Sequence, residues 1–204
     1  MAAPSIVDVV YQDLTDTFNE LSAGTNSPKQ IPRSFSQFVD LSQKLTASMR
    51  KDYWERTGGK WIASNFDGWT DVTELFKQVR NDDQHEQPVC ILVHERQYFR
   101  VAENGPFMVF EGTWSLSSDD QLADRPRDDL HLLFPDPETG GPSDKRVLPE
   151  RKAYEFHVNA ASNKANKLLA RIEDPNIWSL SDKCYKVLTD YYRYYRNQLA
   201  RSGS

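Results

Sequence analysis

The segment SLSDKCYKVLTDYYRYYRNQLAR, residues 179–201, is the strongest indicator of the fold in this sequence. On a helical wheel its apolar and aromatic side chains occupy about half of the circumference, and its charged side chains fill the other half. Ser179 and Asp182 have the spacing of an N-terminal capping pair, and Gly203 follows the last turn. We therefore predict an amphipathic helix whose apolar arc is wider than the ~100° stripe that one core contact needs.

A helix with so wide an apolar arc is expected to contact the core on one side and a partner on the other. Tyrosine suits such a position, because its ring supplies contact area and its hydroxyl can still find a polar partner. We predict that Tyr191 and Tyr195 lie against the core or a partner, whereas Arg193 and Asn197 face solvent. The predicted interface consists of Tyr185, Tyr191, Tyr192, Tyr194, Tyr195 and Leu199.

The other half of this helix is basic and indicates an alternative partner. Residues 145–204 contain twelve Lys or Arg and six Asp or Glu, a net charge of +6, whereas residues 118–140 contain seven acids and two bases, a net charge of −5. Bases beside aromatic rings are typical of single-stranded nucleic-acid binding, and complementary charges can steer association between copies. The predicted nucleic-acid-binding residues are Lys183, Lys186, Arg193, Arg196 and Arg201.

Outward from this helix, the chain alternates between helical and strand periodicity. Further helices are predicted from Ser5 to about Gly24, from Ser34 to Gly58, over a short stretch beginning at Asp71, and over residues 163–172. Strands are predicted at residues 89–94, 98–102, 107–111, 113–117, 131–134 and 154–159, with a further short strand at 60–64 and Gly112 as a bulge. The short connections favour antiparallel pairing.

These elements predict one α+β domain over residues 1–204, built on an antiparallel β-meander of about five to six strands with the N-terminal and C-terminal helices packed on one face. Its predicted parts are an N-terminal helical part at 1–58, a helix plus the meander at 60–117, a Pro-rich acidic loop at 118–150, and a strand plus C-terminal helices at 151–204. The length of 204 residues suits a single domain with a sizeable core.

Catalytic signals are weak in this sequence. Glu155 and His157 project from one face of a predicted strand and could perform general acid–base chemistry in a nuclease or transferase, or simply form a solvated face. His94 and Glu95 beside Arg96 allow the same argument. The sequence contains no glycine-rich phosphate loop, nucleophile elbow or zinc-ligand spacing, so we predict no cofactor and no metal site. Its two cysteines, Cys90 and Cys184, lie in apolar segments and are predicted to be buried hydrophobes.

Three functional hypotheses follow from these observations. The first is a non-enzymatic, self-assembling structural or interaction protein, such as a coat, scaffold or inclusion-forming subunit, whose partner is a second copy or another protein. The second is a nucleic-acid-binding protein that uses the basic C-terminal third, and the third is a small enzyme with a Glu/His acid–base pair. The sequence has neither a signal-peptide pattern nor a membrane-length apolar run, so we expect an intracellular, cytoplasmic protein without membrane contact.

Overall fold

A computed structural model describes residues 5–23, 30–61, 66, 68–84, 90–100, 105–115, 129–135, 142–160 and 162–202. The predicted mixed α+β class is confirmed. The elements are α1 (Ile6–Ser22), α2 (Ile31–Thr57), α3 (Asp71–Gln84), β1 (Cys90–Arg100), β2 (Phe107–Ser115), β3 (Leu130–Pro135), β4 (Pro142–Val147), β5 (Arg151–Asn159), α4 (Asn163–Ile172) and α5 (Ile177–Ser202). None of the helices in these ranges combines the length and the hydropathy of a membrane-spanning segment.

Backbone contacts divide the chain into two compact units. Unit 1 comprises Met1–Ile91 and Val158–Ser204, and unit 2 comprises Leu92–His157. Unit 1 contains the helices, whereas unit 2 contains most of β1 and β5 together with β2, β3 and β4. The expectation of a single domain, with helices grouped on one face of the sheet, stays a prediction.

The first helix of unit 1 is built as its sequence predicts. The Ser5 hydroxyl accepts the backbone N–H of Asp8, and the Asp8 carboxylate accepts the backbone N–H of Ser5, each at 3.2 Å. This reciprocal pair satisfies two N–H groups that have no partner within the helix. The apolar stripe of α1 is fully buried and contains Val7, Val10, Leu14 and Leu21.

Helix α2 begins earlier than the sequence predicts. Its first residue is Ile31 and not Ser34, because Pro32 is tolerated in the first turn and the apolar stripe already starts at Ile31. The side chains of Ile31, Phe35 and Phe38 are all buried at helical spacing. The predicted stop is confirmed: Gly58 adopts the left-handed conformation, with φ of 68°, and its N–H closes the last turn onto the Trp54 carbonyl.

The bounds of α4 match the prediction, whereas α5 begins two residues before the predicted Ser179. Asn176 caps this helix: its side-chain oxygen accepts the N–H groups of Trp178 and Ser179 at 3.0 and 3.2 Å. The Ser179 hydroxyl donates instead to the Asp174 carboxylate. The predicted capping pair is therefore wrong, because a better-placed Asn already satisfies these donors.

Within the described part of the chain, the main sheet has three strands in the order β2-β1-β5, and not the predicted five to six. Strand β1 runs without interruption through Glu95–Gln97, where the sequence predicts a turn, because Glu95 and Gln97 continue its buried side. Gly112 pairs in register with Glu95, so β2 is likewise one strand where two strands and a bulge are predicted. The four strands predicted over residues 89–117 are therefore two: buried Glu95 and Gln97 continue β1, and in-register pairing of Gly112 continues β2.

A separate two-stranded sheet lies inside the predicted irregular loop 118–150. Strand β3 confirms the prediction at 131–134, and β4 pairs with it from Leu130↔Val147 to Pro135↔Pro142. The sequence does not predict β4, because proline and polar residues disfavour a strand there. Several predicted features lie outside the described residues: residues 116–128 and 136–141, the predicted helix ends at Gly24 and Gly203, and most of the predicted strand at 60–64.

Burial along α5 predicts the stability of two variants. Leu188 is 1% exposed, so Leu188→Ala should lower the free energy of unfolding by about 2–5 kcal/mol through lost packing and cavity formation. Arg193 is exposed and belongs to the same helix, so Arg193→Ala should change stability by no more than about 0.5 kcal/mol. Urea unfolding of both variants measures the difference, and equal losses would contradict the placement of the buried face.

Candidate functional site

The apolar arc of α5 is filled on one side by an aromatic cluster of unit 1. Tyr191 and Tyr195 are 0% and 1% exposed, so their predicted contact with the core is confirmed. The Tyr191 ring lies with its centroid 5.6 Å from that of Trp61 and 4.9 Å from that of Phe66, and the Tyr195 ring meets Trp61 edge-on at 5.7 Å. Arg193 and Asn197 are exposed, as predicted.

Helix α1 fills the other side of the same arc. The Tyr192 ring stacks on Tyr11 at 4.1 Å between centroids, and the Tyr185 ring stacks on Phe18 at 4.2 Å. The width of the apolar arc therefore has a cause within the chain, and it does not require a second molecule. The predicted interface also includes four half-buried residues, Tyr185, Tyr192, Tyr194 and Leu199. Their contact with a partner stays a prediction.

The Tyr192 hydroxyl is hydrogen-bonded to a carboxylate of α1. Tyr192 donates to Asp8 at 2.5 Å, and Arg196 lies 3.2 Å from the same oxygen. Burial and the hydrogen bond to Asp8 raise the pKa of Tyr192 to about 12. Burial alone would raise the pKa of Asp8, but the hydrogen bonds from Tyr192 and Ser5 and the charge of Arg196 hold it below its ordinary value.

The basic half of α5 is engaged in ion pairs with acids of unit 1. Lys183 contacts Asp174 at 3.2 Å, and Lys186 contacts Asp182 at 2.6 Å. Further pairs join Arg193 to Asp190 at 3.4 Å and Arg196 to Asp8 at 3.2 Å. Neighbouring acids thus offset four of the five charges predicted to bind nucleic acid. The role of Lys183, Lys186, Arg193, Arg196 and Arg201 in such binding stays a prediction.

The weak catalytic candidates Glu155 and His157 lie in a different place, on one face of the β2-β1-β5 sheet. Even-numbered residues of β1 share this face with odd-numbered residues of β2 and β5. There they line an open cleft of about 540 Å³, which we call the sheet cleft. Its lining residues, all in unit 2, are His94, Glu95, Arg96, Glu111, Gly112, Thr113, Glu155 and His157.

Arg96 joins the two carboxylates of the sheet cleft. Its Nε lies 2.8 Å from Glu111 Oε1 on one neighbouring strand, and its Nη1 lies 3.0 Å from Glu155 Oε1 on the other. The hydrogen bond to Glu111 and the charge of Glu155 raise the pKa of Arg96 above its ordinary value. These contacts involve two of the five N–H groups of a half-exposed guanidinium.

Two imidazoles meet beside this ion network. The rings of His94 and His157 lie with their centroids 4.3 Å apart. The Thr113 hydroxyl lies 2.8 Å from Nδ1 of His94, and a Glu155 oxygen lies 3.9 Å from Nε2 of His157. Imidazoles can both accept and donate protons near neutral pH, so the sheet cleft combines proton acceptors, proton donors and one guanidinium.

The sequence indicates only part of this arrangement. Strand alternation correctly placed Glu155 and His157 on one face, and His94 and Arg96 join them there. Glu95, considered beside them in the sequence, has a fully buried side chain that accepts hydrogen bonds from Trp114 and Gln97 at 3.1 and 2.8 Å. Glu111 and Thr113 went unnoticed, because their position opposite Arg96 and His94 depends on strand register.

A second feature of unit 2 is an apolar segment of β2. Phe107, Met108, Val109 and Phe110 are 45%, 40%, 48% and 38% exposed, and among the described strands β2 lies at an edge of its sheet. An edge strand presents backbone N–H and C=O groups that can pair with another strand. We call this segment the β2 edge.

Neither a protein-family model, nor a curated protein, nor a solved structure matches this chain. The described residues include no cluster of three or more His, Cys, Asp or Glu side chains placed to hold a metal ion.

The Tyr192–Asp8 contact predicts how stability depends on pH. The pKa of Tyr192 is about 12 in the folded protein and about 10 in an unfolded chain, so the unfolded state releases this proton first. The contribution of Tyr192 to stability is complete below about pH 10 and is lost as the pH rises to about 12. In Tyr192→Phe, the urea concentration at the midpoint of unfolding should therefore fall less steeply with rising pH across this range.

Tyr194→Phe is the matched control, since it removes a hydroxyl from the same helix and leaves the contact with Asp8 intact. It should retain the alkaline slope of the wild-type protein. An unchanged slope in Tyr192→Phe would contradict the assigned contact.

Proposed function

We propose that this protein is a self-associating structural or interaction subunit whose copies pair through the β2 edge. The observation that supports this function is the run of four exposed apolar residues on an edge strand. Natural edge strands are usually protected by charge, proline or a covering segment, and exposed apolar edges pair with other strands. A second copy brings the same edge, so the contact would be isologous and closed by a two-fold axis.

A two-fold axis perpendicular to the sheet restricts the register. Directly opposite residues of antiparallel strands point to the same face of the sheet. With this axis, one residue must therefore lie on the axis and face the same residue of the second copy. In the register we propose, Val109 faces Val109 of the second copy, Met108 faces Phe110, and Phe107 faces Glu111. Each exposed side chain of the β2 edge thereby acquires a neighbour across the contact.

Charge supports this register over the adjacent ones. Within one copy, the Arg100 guanidinium lies over the Phe107 ring at 4.4 Å from its centroid. In one copy Arg100 pairs with Glu150 at 3.3 Å, and Glu111 pairs with Arg96 at 2.8 Å. Pairing Phe107 with Glu111 of the second copy would bring that carboxylate beside Arg100 in addition to these contacts. The two-fold axis repeats this contact, so two arginine–glutamate pairs would flank an apolar centre. Pairs of opposite charge fix register more than they add affinity.

Sedimentation of the wild-type protein and of Val109→Lys tests this function. The wild-type protein should form concentration-dependent dimers, whereas an edge lysine should leave monomers over the same range because it must be desolvated on pairing. Leu148→Lys is the matched control, because Leu148 is 59% exposed and lies outside any strand. A monomeric wild-type protein at millimolar concentration, or equal weakening by both variants, would contradict the proposal.

Cysteine cross-linking tests the register. Antiparallel partners have Cα atoms about 4.5–5.5 Å apart, within the range of a disulfide, so Val109→Cys should cross-link to its own copy on oxidation. Met108→Cys should cross-link poorly, because it faces Phe110. The reverse result would place Met108 on the two-fold axis and contradict the proposed register. Oxidation of the wild-type protein measures the background cross-linking from Cys90 and Cys184.

A further inference from the structure

We propose that the sheet face of unit 2 binds single-stranded RNA and cleaves it in the sheet cleft by acid–base chemistry. This inference concerns the face of the sheet, whereas self-association concerns its edge, and Phe107, Arg100 and Glu111 take part in both. It assigns catalysis to His94 and His157, transition-state stabilisation to Arg96, and strand binding to a neighbouring row of arginine and aromatic side chains.

The strand-binding row continues from the sheet cleft along the same face. The Arg151 guanidinium lies 4.1 Å from the centroid of the Tyr98 ring, and the Arg100 guanidinium lies 4.4 Å from that of Phe107. Proteins that bind single strands combine such cations for phosphates with aromatic rings for bases. We call these four residues the arginine–aromatic strip.

The arginine–aromatic strip and the sheet cleft are close enough to engage one ligand. His94 and Arg100 are six residues apart on β1, which corresponds to roughly 20 Å along a strand. Arg96 lies between them on the same face. A short single strand laid along β1 would therefore contact the strip at one end and the two imidazoles at the other.

The sheet cleft has the groups that an RNA phosphodiester requires. RNA carries its own nucleophile, the 2′-hydroxyl, so the protein needs only a base, an acid and a group that stabilises charge on phosphorus. Two imidazoles and a guanidinium meet these needs. DNA lacks the 2′-hydroxyl, so the same groups would not cleave it.

The positions of the two imidazoles assign their roles. In the tautomer whose Nδ1–H donates to Thr113, His94 keeps a lone pair on Nε2 and can act as the base. A Glu155 oxygen lies 3.9 Å from Nε2 of His157 and orients that ring, to which we assign the role of the acid. Thr113 and Glu155 are thus positioning residues, which act through the two rings.

The reaction is a transfer within the RNA. His94 removes the proton of the 2′-hydroxyl as the 2′-oxygen forms a bond to phosphorus. The bond from phosphorus to the 5′-oxygen breaks, and that oxygen keeps the electron pair and receives a proton from His157. Arg96 stabilises the charge on the non-bridging oxygens. The products are a 2′,3′-cyclic phosphate and a 5′-hydroxyl, and exchange of protons with water restores both rings.

Incubation of the full chain with a single-stranded RNA of mixed sequence, and with DNA of the same sequence, tests the activity. Mass spectrometry should detect cyclic-phosphate and 5′-hydroxyl ends from the RNA and an intact DNA strand. His94→Ala and His157→Ala should each lower kcat by about 10²–10⁴-fold, as the loss of a general acid or base does. His131→Ala is the matched control, because His131 is an exposed histidine of β3 outside the sheet cleft.

Arg151→Ala separates binding from chemistry. It should raise KM several-fold with kcat nearly unchanged, and should reduce the dependence of RNA binding on salt by about one phosphate contact. Intact RNA with the wild-type protein would overturn the proposal. Equal cleavage by the wild-type protein and both cleft variants would also overturn it, since the activity would then come from elsewhere.

Discussion

Unit 1 depends on a buried hydrogen bond between the Tyr195 hydroxyl and the Asp52 carboxylate, which also pairs with Arg56 at 2.7 Å. A buried carboxylate is costly unless it is hydrogen-bonded or paired, so this contact restricts how α5 can lie against α2. It fixes the rotation of α5 about its own axis. One turn earlier, Tyr191 then meets Trp61, and Tyr192 is directed to α1. Burial and the hydrogen bond to Asp52 raise the pKa of Tyr195.

Local signals in the sequence predicted helices well and their partners poorly. The cap at Ser5 and the left-handed Gly58 involve residues within one turn, so their spacing is visible in the sequence. The wide arc of α5 is equally visible, but its cause is not. The rings that cover it come from Tyr11, Phe18 and Trp61, more than a hundred residues earlier, and no periodicity indicates which distant ring will stack on which tyrosine.

In unit 2, the limit of sequence reasoning is strand register. Alternation placed Glu155 and His157 on one face because it requires only one strand. The contributions of Glu111 and Thr113 depend on β2 pairing with β1 in one register, which is a property of two strands. Glu95 and Gln97 illustrate the opposite error: polarity suggested a turn, whereas both side chains are buried and hydrogen-bonded to each other. Tertiary partners here outweigh local preference.

The contact between α1 and α5 also constrains how this chain can fold. The Tyr192–Asp8 hydrogen bond spans 184 residues, and the Tyr195–Asp52 hydrogen bond spans 143. Contacts between such distant residues form late, because closing long loops costs entropy before any packing compensates for it. On a ribosome, α1 leaves the exit tunnel long before α5 is made. Helix α2 can already pack against α1 at that stage, but the Tyr11 and Phe18 rings acquire their stacking partners only after α5 has been made.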